Sequence, residues 1–171
     1  RTGKMFACDH DRAWPDLLHP RWKGKMLMDD VSKPGFAAGM FGGTKDVLGI
    51  DYWEKMAKQD ITFISGYDAQ QREIAAGAYP ILVGTAPTFF ATYVKRGSPI
   101  KAISPSDYAV AYFNLIGIAK NAPHPNAAQL FIDWMLSKEA QALNTEAVAE
   151  LPLRKDVPPV ALPGIEIKGK V

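Results

Sequence analysis

Cysteine occurs once, at Cys8, so no framework of intrachain disulfides can hold this chain together. An oxidising compartment stays open, because exported proteins need not carry disulfides. Charge of one sign is lacking as well. Twenty Lys and Arg stand against 18 Asp and Glu, a net +2, too mild for a nucleic-acid or anionic-membrane partner. The cations are scattered, with no basic run interleaved with aromatics, so no nucleic-acid partner is expected. Long apolar runs are missing too: Pro, Gly or charge interrupts each within about ten residues, short of a membrane span.

The familiar catalytic signatures are also absent. Gly35, Gly39, Gly42 and Gly43 invite comparison with a phosphate loop, but Gly43-Thr-Lys45 has the wrong order for one. No G-x-G-x-x-G and no G-x-S-x-G elbow occur. Cys8-Asp-His10-Asp11 gathers four metal-capable side chains, yet no second Cys/His cluster exists to complete a site, and no metal or cofactor is expected. Asp51 and Glu54 lie one helical turn apart and read as a solvated face. No nucleophile–base pair emerges, so the chain reads as a non-enzyme.

What is present is an ordinary globular composition, 47% apolar and 22% charged over 171 residues, enough for one domain or one domain and part of a second. Gly24 to Asp30 reads as a short buried strand closed by two acids. Residues 34–47 hold Pro34 and four glycines, a weak basis for a helix. Residues 47–58 place Val47, Leu48, Tyr52, Trp53 and Met56 at helical spacing. Ile61–Ile64 reads as a strand, followed by a helix that Asp68 and Gln71 would open as a capping box. Tyr79–Gly84 is a third strand. Thr85 is placed to cap the next helix, with Pro87 in its first turn and Gly97 at its end. Strands thus alternate with helices, which predicts an α/β domain with a largely parallel sheet.

Further on, 108–119 is long for one strand and suits a crossing between two bodies. Two helices follow, Asn126 to about Leu136 and Ser137 to Val148, the first with Leu130, Phe131, Trp134 and Met135 on one face. The Pro-rich tail from Leu151 reads as irregular. Aromatic pairs such as Phe89-Phe90 and Phe131 with Trp134 read first as core.

Candidate ligand contacts fall where strand ends deliver the chain to helix starts, because free backbone N–H groups collect there. Asp30, Ser32 and Lys33 follow the first strand, Ser65, Gly66 and Tyr67 the second, and Thr85 and Thr88 the third. Ordinary helix capping is the competing explanation for the same residue types. Tyr112, Phe113 and Asn114 either line a cleft at the crossing or form a buried strand with one satisfied amide.

Four stretches carry a family resemblance. Trp14-Pro-Asp-Leu-Leu-His-Pro-Arg-Trp-Lys-Gly-Lys25 resembles the lead-in to the second lobe of extracellular solute-binding proteins. Gly77-Ala-Tyr-Pro-Ile-Leu-Val-Gly84, Ala122-Pro-His-Pro-Asn-Ala-Ala-Gln through Gln141, and Leu153-Arg-Lys-Asp156 resemble later segments of the same family, in the same order. The likeness covers about residues 12 to 158 and points to the branch that includes ferric-iron, polyamine, thiamine and phosphonate binders.

The resemblance implies a type 2 two-lobe periplasmic fold, with residues 1–112 as the second α/β lobe. Residues 113–171 would then form the crossover strand and the C-terminal helices returning to a first lobe that precedes residue 1. It implies the substrate-binding component of an ABC importer, handing a small polar or anionic solute to a permease in the inner membrane. Periplasmic or lipid-anchored extracellular localisation follows, after export by a signal peptide outside this sequence. Arg1-Thr-Gly-Lys does not read as a natural start, so a truncated chain is expected. The apolar face within 126–148 would be left exposed, to self-associate or to pack on another polypeptide. Ferric binders of this kind carry adjacent tyrosines where Pro87 and Thr88 stand here, and Tyr93 comes too late, which argues against a tyrosinate iron site. Iron binding without the tyrosine pair, or an enzyme or sensor on the same fold, remain the alternatives.

Overall fold

A computed structural model describes residues 13–108, 110, 114–159 and 165–166. The chain divides into two compact units, Arg1–Val110 with Pro163–Val171, and Ala111–Leu162.

The first unit is built on three parallel strands: β1 (Met26–Met28), β2 (Thr62–Phe63) and β3 (Ile81–Val83), in the order β2-β1-β3. Leu27 pairs with Thr62 and Leu82, Met28 with Phe63 and Val83. The central strand is buried along its whole length, as a parallel strand covered on both faces must be. Its side chains alternate between two cores. Met26 and Met28 join Trp14, Trp22, Met40, Tyr52, Trp53 and Met56 on one side. Leu27 joins Ile74, Phe90 and Ile100 on the other.

The glycine-rich stretch is helical after all, as α1 (Phe36–Leu48). Propensity is outweighed by close tertiary approach: a Cβ on Gly43 would sit 3.4 Å from Val110, and one on Gly84 only 2.2 Å from the Met40 terminal methyl. Thr44, fully buried, returns its hydroxyl to the Met40 carbonyl at 2.7 Å. Gly49, at φ +79°, separates α1 from α2 (Ile50–Ala57), which packs Tyr52, Trp53 and Met56 inward.

Two expected caps lie elsewhere. α3 (Tyr67–Ala75) starts from Gly66 at φ +98°, so Asp68 sits inside the first turn and opens no capping box. Glycine adopts this backbone without strain, and the sequence supplies it two positions earlier. Buried Gln70 anchors the helix instead, donating to the Ile64 carbonyl at 2.6 Å. After β3 the cap is Ala86 rather than Thr85, because the residue before Pro87 is held extended. A 3-10 turn, Pro87–Phe90, leads into α4 (Ala91–Lys95), and Gly97 at φ +79° follows its end.

The strand β4 (Ala102–Ile103) pairs in parallel with β5 (Ile165–Glu166). The tail is therefore irregular over 151–159 but regains a strand at its end.

In the second unit, α5 (Pro125–Met135) and α6 (Lys138–Val148) follow each other, with the Ser137 hydroxyl capping α6 through Ala140 N–H at 3.2 Å. Ala140, Gln141, Thr145, Ala149 and Val157 form its small interior. Gln141 ties it together, donating to the Met135 carbonyl and accepting from Leu153 N–H, both at 2.9 Å. The strand expected over 108–119 does not form among its described residues. Leu115 is 93% exposed, and an apolar segment with no partner edge has no ladder to join. α5 buries no residue, and Leu130, Phe131 and Trp134 are all exposed.

Candidate functional site

The C-terminal ends of β1 and β2 open on a cleft of about 230 Å³ lined by Asp29, Asp30, Lys33, Gly35, Ser65 and Tyr67 among others. Neighbouring parallel strands end at the same edge, so the loops that follow them meet there. The β1 loop supplies the acids and the lysine. The β2 loop supplies the hydroxyl and the aromatic ring.

Lys33 joins the two loops. Its ammonium donates to Asp30 Oδ2 and to Ser65 Oγ, each at 3.0 Å, the second contact spanning 32 residues of sequence. Asp30 Oδ1 accepts from the Ser32 hydroxyl at 2.6 Å and from Ser32 N–H at 3.0 Å. These bonds, the Ser32 hydroxyl first and Lys33 next, hold the Asp30 carboxyl down at about 2, well below its usual 3.8. Asp29 Oδ1 accepts from Asp30 N–H at 2.8 Å.

Both flanking helices begin on this rim. α1 starts from Gly35 and α3 from Gly66, and neither has a side-chain cap. The first backbone bonds of the two helices run from Gly39 N–H to the Gly35 carbonyl and from Gln70 N–H to the Gly66 carbonyl. Tyr67 is held rigidly: it stacks on Phe89 with ring centroids 4.1 Å apart, and Phe89 meets Phe36 edge-on at 6.1 Å. The first residues of α1 and α3 and the turn after β3 are thereby interlocked through aromatic rings.

The structure brings Lys33, Ser65, Gly66 and Tyr67 together, with Ser32 one bond behind on Asp30. Thr85 and Thr88 follow β3, half-buried, and do not line this cleft. Asn114 lies in the second unit, where its exposed amide donates to Glu150, which also accepts from Asn144 at 2.7 Å. Tyr112 lies outside the described residues, as do Phe113 and the Cys8–Asp11 cluster. Sequence reasoning passed over Asp29, Pro34, Gly35 and Ala37 as cleft residues. The paired acids were visible as the end of a strand, but nothing local says which way Asp29 turns. Among the described residues no group of three or more His, Cys, Asp or Glu could hold a metal ion. No helix among them is long and apolar enough to cross a membrane.

Comparison with known proteins assigns the fold to a class: α/β, of the periplasmic binding protein kind. It matches the periplasmic binding protein P5PA with a TM-score of 0.70 and 21% identity, over 90% of this chain and 50% of that one. It matches the substrate binding protein of an ABC transporter from Agrobacterium tumefaciens with a TM-score of 0.70 and 15% identity, over 92% of this chain and 49% of that one. The sequence profile of the bacterial extracellular solute-binding proteins matches residues 6–167, and the chain belongs to that family. An uncharacterized protein of Haemophilus influenzae is 26% identical over 147 residues, 84% of this chain and 42% of that protein. The chain therefore spans about half the length of these relatives or less.

Proposed function

We propose that this chain is part of the substrate-binding component of an ABC importer, working in the periplasm or anchored outside the cell. It captures a small polar or anionic solute and delivers it to an inner-membrane permease, with no bond made or broken. Residues 1–112 serve as the second lobe. Of residues 113–171, the part up to about 162 returns to a first lobe whose remainder lies outside this chain and supplies the facing wall, whereas β5 stays with the second lobe through its pairing with β4. The exposed apolar face of 126–148 packs against that lobe in the whole protein and self-associates without it.

The observation that carries this reading is the cleft at the ends of β1 and β2, where Lys33, Ser65, Tyr67 and two uncapped helix starts face one space. Polar groups fixed on a rigid sheet edge favour capture of a solute, and binding energy then comes from closure and desolvated hydrogen bonds.

The test is native mass spectrometry of the full-length protein taken from cells without refolding. A retained small solute is expected in the wild type and lost from Ser65→Trp, whose indole fills the cleft. Retention by Ser65→Trp, or chemical conversion of the solute during incubation, would count against the reading. A retained Fe(III) would overturn the preference for an organic or anionic cargo.

A further inference from the structure

Hydrogen bonds already made inside the cleft define what it still has to offer. An ammonium carries three N–H donors. Lys33 directs one to Asp30 and one to Ser65, and the third meets no acceptor among the described residues. Ser65 Oγ accepts from the lysine and retains its own proton to donate. Asp30 is fully engaged, one oxygen by Ser32 and the other by Lys33. Asp29 is half engaged: Oδ1 accepts from Asp30 N–H, and its second oxygen has no partner among the described residues. The cleft lining therefore still offers donors, from Lys33 and Ser65, and an acceptor oxygen, from Asp29.

Charge narrows the choice further. Two carboxylates and one ammonium leave the lining side chains one negative charge in excess. The starts of α1 and α3 each add roughly half a positive unit, which brings this wall of the cleft close to neutral. A lone oxyanion bound to Lys33 would face Asp29, and a lone cation on Asp29 would face Lys33. A solute carrying both groups satisfies both.

We propose that the cleft takes a small zwitterion, with its carboxylate or phosphate between Lys33 and Ser65 and its cationic group on Asp29. Lys33 and Asp29 are then the residues that set specificity. This rests on reading the cleft as the solute site. The space of about 230 Å³ on this wall of the cleft is of the order a small ligand needs.

The experiment is calorimetric titration of the full-length protein, stripped of solute, with β-alanine and O-phosphoethanolamine as zwitterions. Acetate, inorganic phosphate and ethylamine serve as single-charge controls. One zwitterion is expected to bind at least about tenfold more tightly than its matched controls, and which one does so decides between carboxylate and phosphate. K33Q should weaken every oxyanion probe by about tenfold or more, whereas D29N should weaken the zwitterions and any binding of ethylamine but not acetate or inorganic phosphate. Lys33 is exposed and Asp29 half-buried, so both variants should keep the wild-type circular dichroism. A single-charge control binding as tightly as the zwitterions, a silent D29N, or no binding by any probe overturns the inference. The retained-solute assay separates the two readings. If Ser65→Trp loses its natural solute, only the zwitterion inference falls; if it keeps it, the cleft reading falls as well.

Discussion

The backbone N–H of Trp14 donates to both carboxylate oxygens of Asp107, at 3.3 and 3.2 Å, across 93 residues of sequence. The Trp14 indole N–H adds a bond to the Tyr108 carbonyl at 2.8 Å, and the Tyr52 hydroxyl closes the group by donating to the Trp14 carbonyl at 2.7 Å. Segments from opposite ends of the first unit are thus fixed on one buried tryptophan. D107A, which leaves the Trp14 amide without its acceptor, should destabilise the unit by about 1 kcal/mol, because Asp107 is exposed and water can take its place. D107N keeps one oxygen and should cost about half of that. Urea unfolding followed by tryptophan fluorescence checks the order; equal stability of the two variants would deny the carboxylate its role.

The same group governs one tyrosine. Burial pushes the Tyr52 phenol well above its ordinary 10.0, and the Asp107 and Asp16 carboxylates push it further. The unfolded phenol ionises near 10 while the folded one stays neutral, so stability should fall as pH rises above 10. Alkaline spectrophotometric titration should find Tyr52 resisting ionisation until the protein unfolds. Y52F should remove both the resistant phenol and that part of the alkaline instability.

Asp30 gives the opposite dependence at the acid end. Its carboxyl sits at about 2 against an ordinary 3.8, so its contribution is complete above about 4 and is lost as pH falls through about 2. Carbon-13 NMR of the side-chain carboxyls should therefore place the Asp30 midpoint at about 2, below its ordinary 3.8. S32A should return it further toward 3.8 than K33Q does, because the Ser32 hydroxyl is the larger cause. A larger effect from K33Q would make Lys33, through its hydrogen bond and its charge together, the main cause instead.

Much of the first unit was legible because its signals are local. Met26–Met28, Ile81–Val83 and the helix containing Tyr52, Trp53 and Met56 announce themselves through apolar runs and spacing. α1 was harder to read because its stability lies in contacts with distant residues, Gly43 beside Val110 and Met40 beside Gly84. Lys33 and Ser65 were each visible as residues after a strand, but their contact needs the parallel register of β1 and β2. Asp29 was missed for the same reason. β5 is two residues long and exists only through its pairing with β4, a relationship that no local pattern can carry.

Gly84 tests the packing that local sequence hides. Its φ of +70° already disfavours a side chain, and an added Cβ would meet the Met40 terminal methyl at 2.2 Å. Gly97, at φ +79° with nothing near it, supplies the control for backbone strain alone. G97A should cost about 1 kcal/mol and G84A about 1 kcal/mol more. Combining G84A with Met40→Leu, which lacks that methyl, should recover most of the difference, giving a measurable coupling in a double-mutant cycle. Strict additivity would mean that Met40 swings aside freely.

The second unit makes the sharpest physical prediction, because α5 is amphipathic yet buries nothing. Leu130 is 72% exposed, Phe131 51% and Trp134 43%, and the last two rings lie 5.9 Å apart on one face. A patch of this kind on a soluble chain marks a surface that another surface covers. Sedimentation of the 171-residue chain should therefore show association that grows with concentration. Covering a large apolar side chain contributes about 1.5–3 kcal/mol, so F131S with W134S should weaken self-association by about two orders of magnitude or more. The folded monomer should lose less than about 0.5 kcal/mol, since neither side chain is buried within it. The full-length protein, whose first lobe covers this face under the proposed arrangement, should stay monomeric and be insensitive to hydrophobic dye. Association by the full-length protein that the same double substitution abolishes would place the face on the outside of the receptor, and would refute the assignment of α5 and α6 to a returning segment.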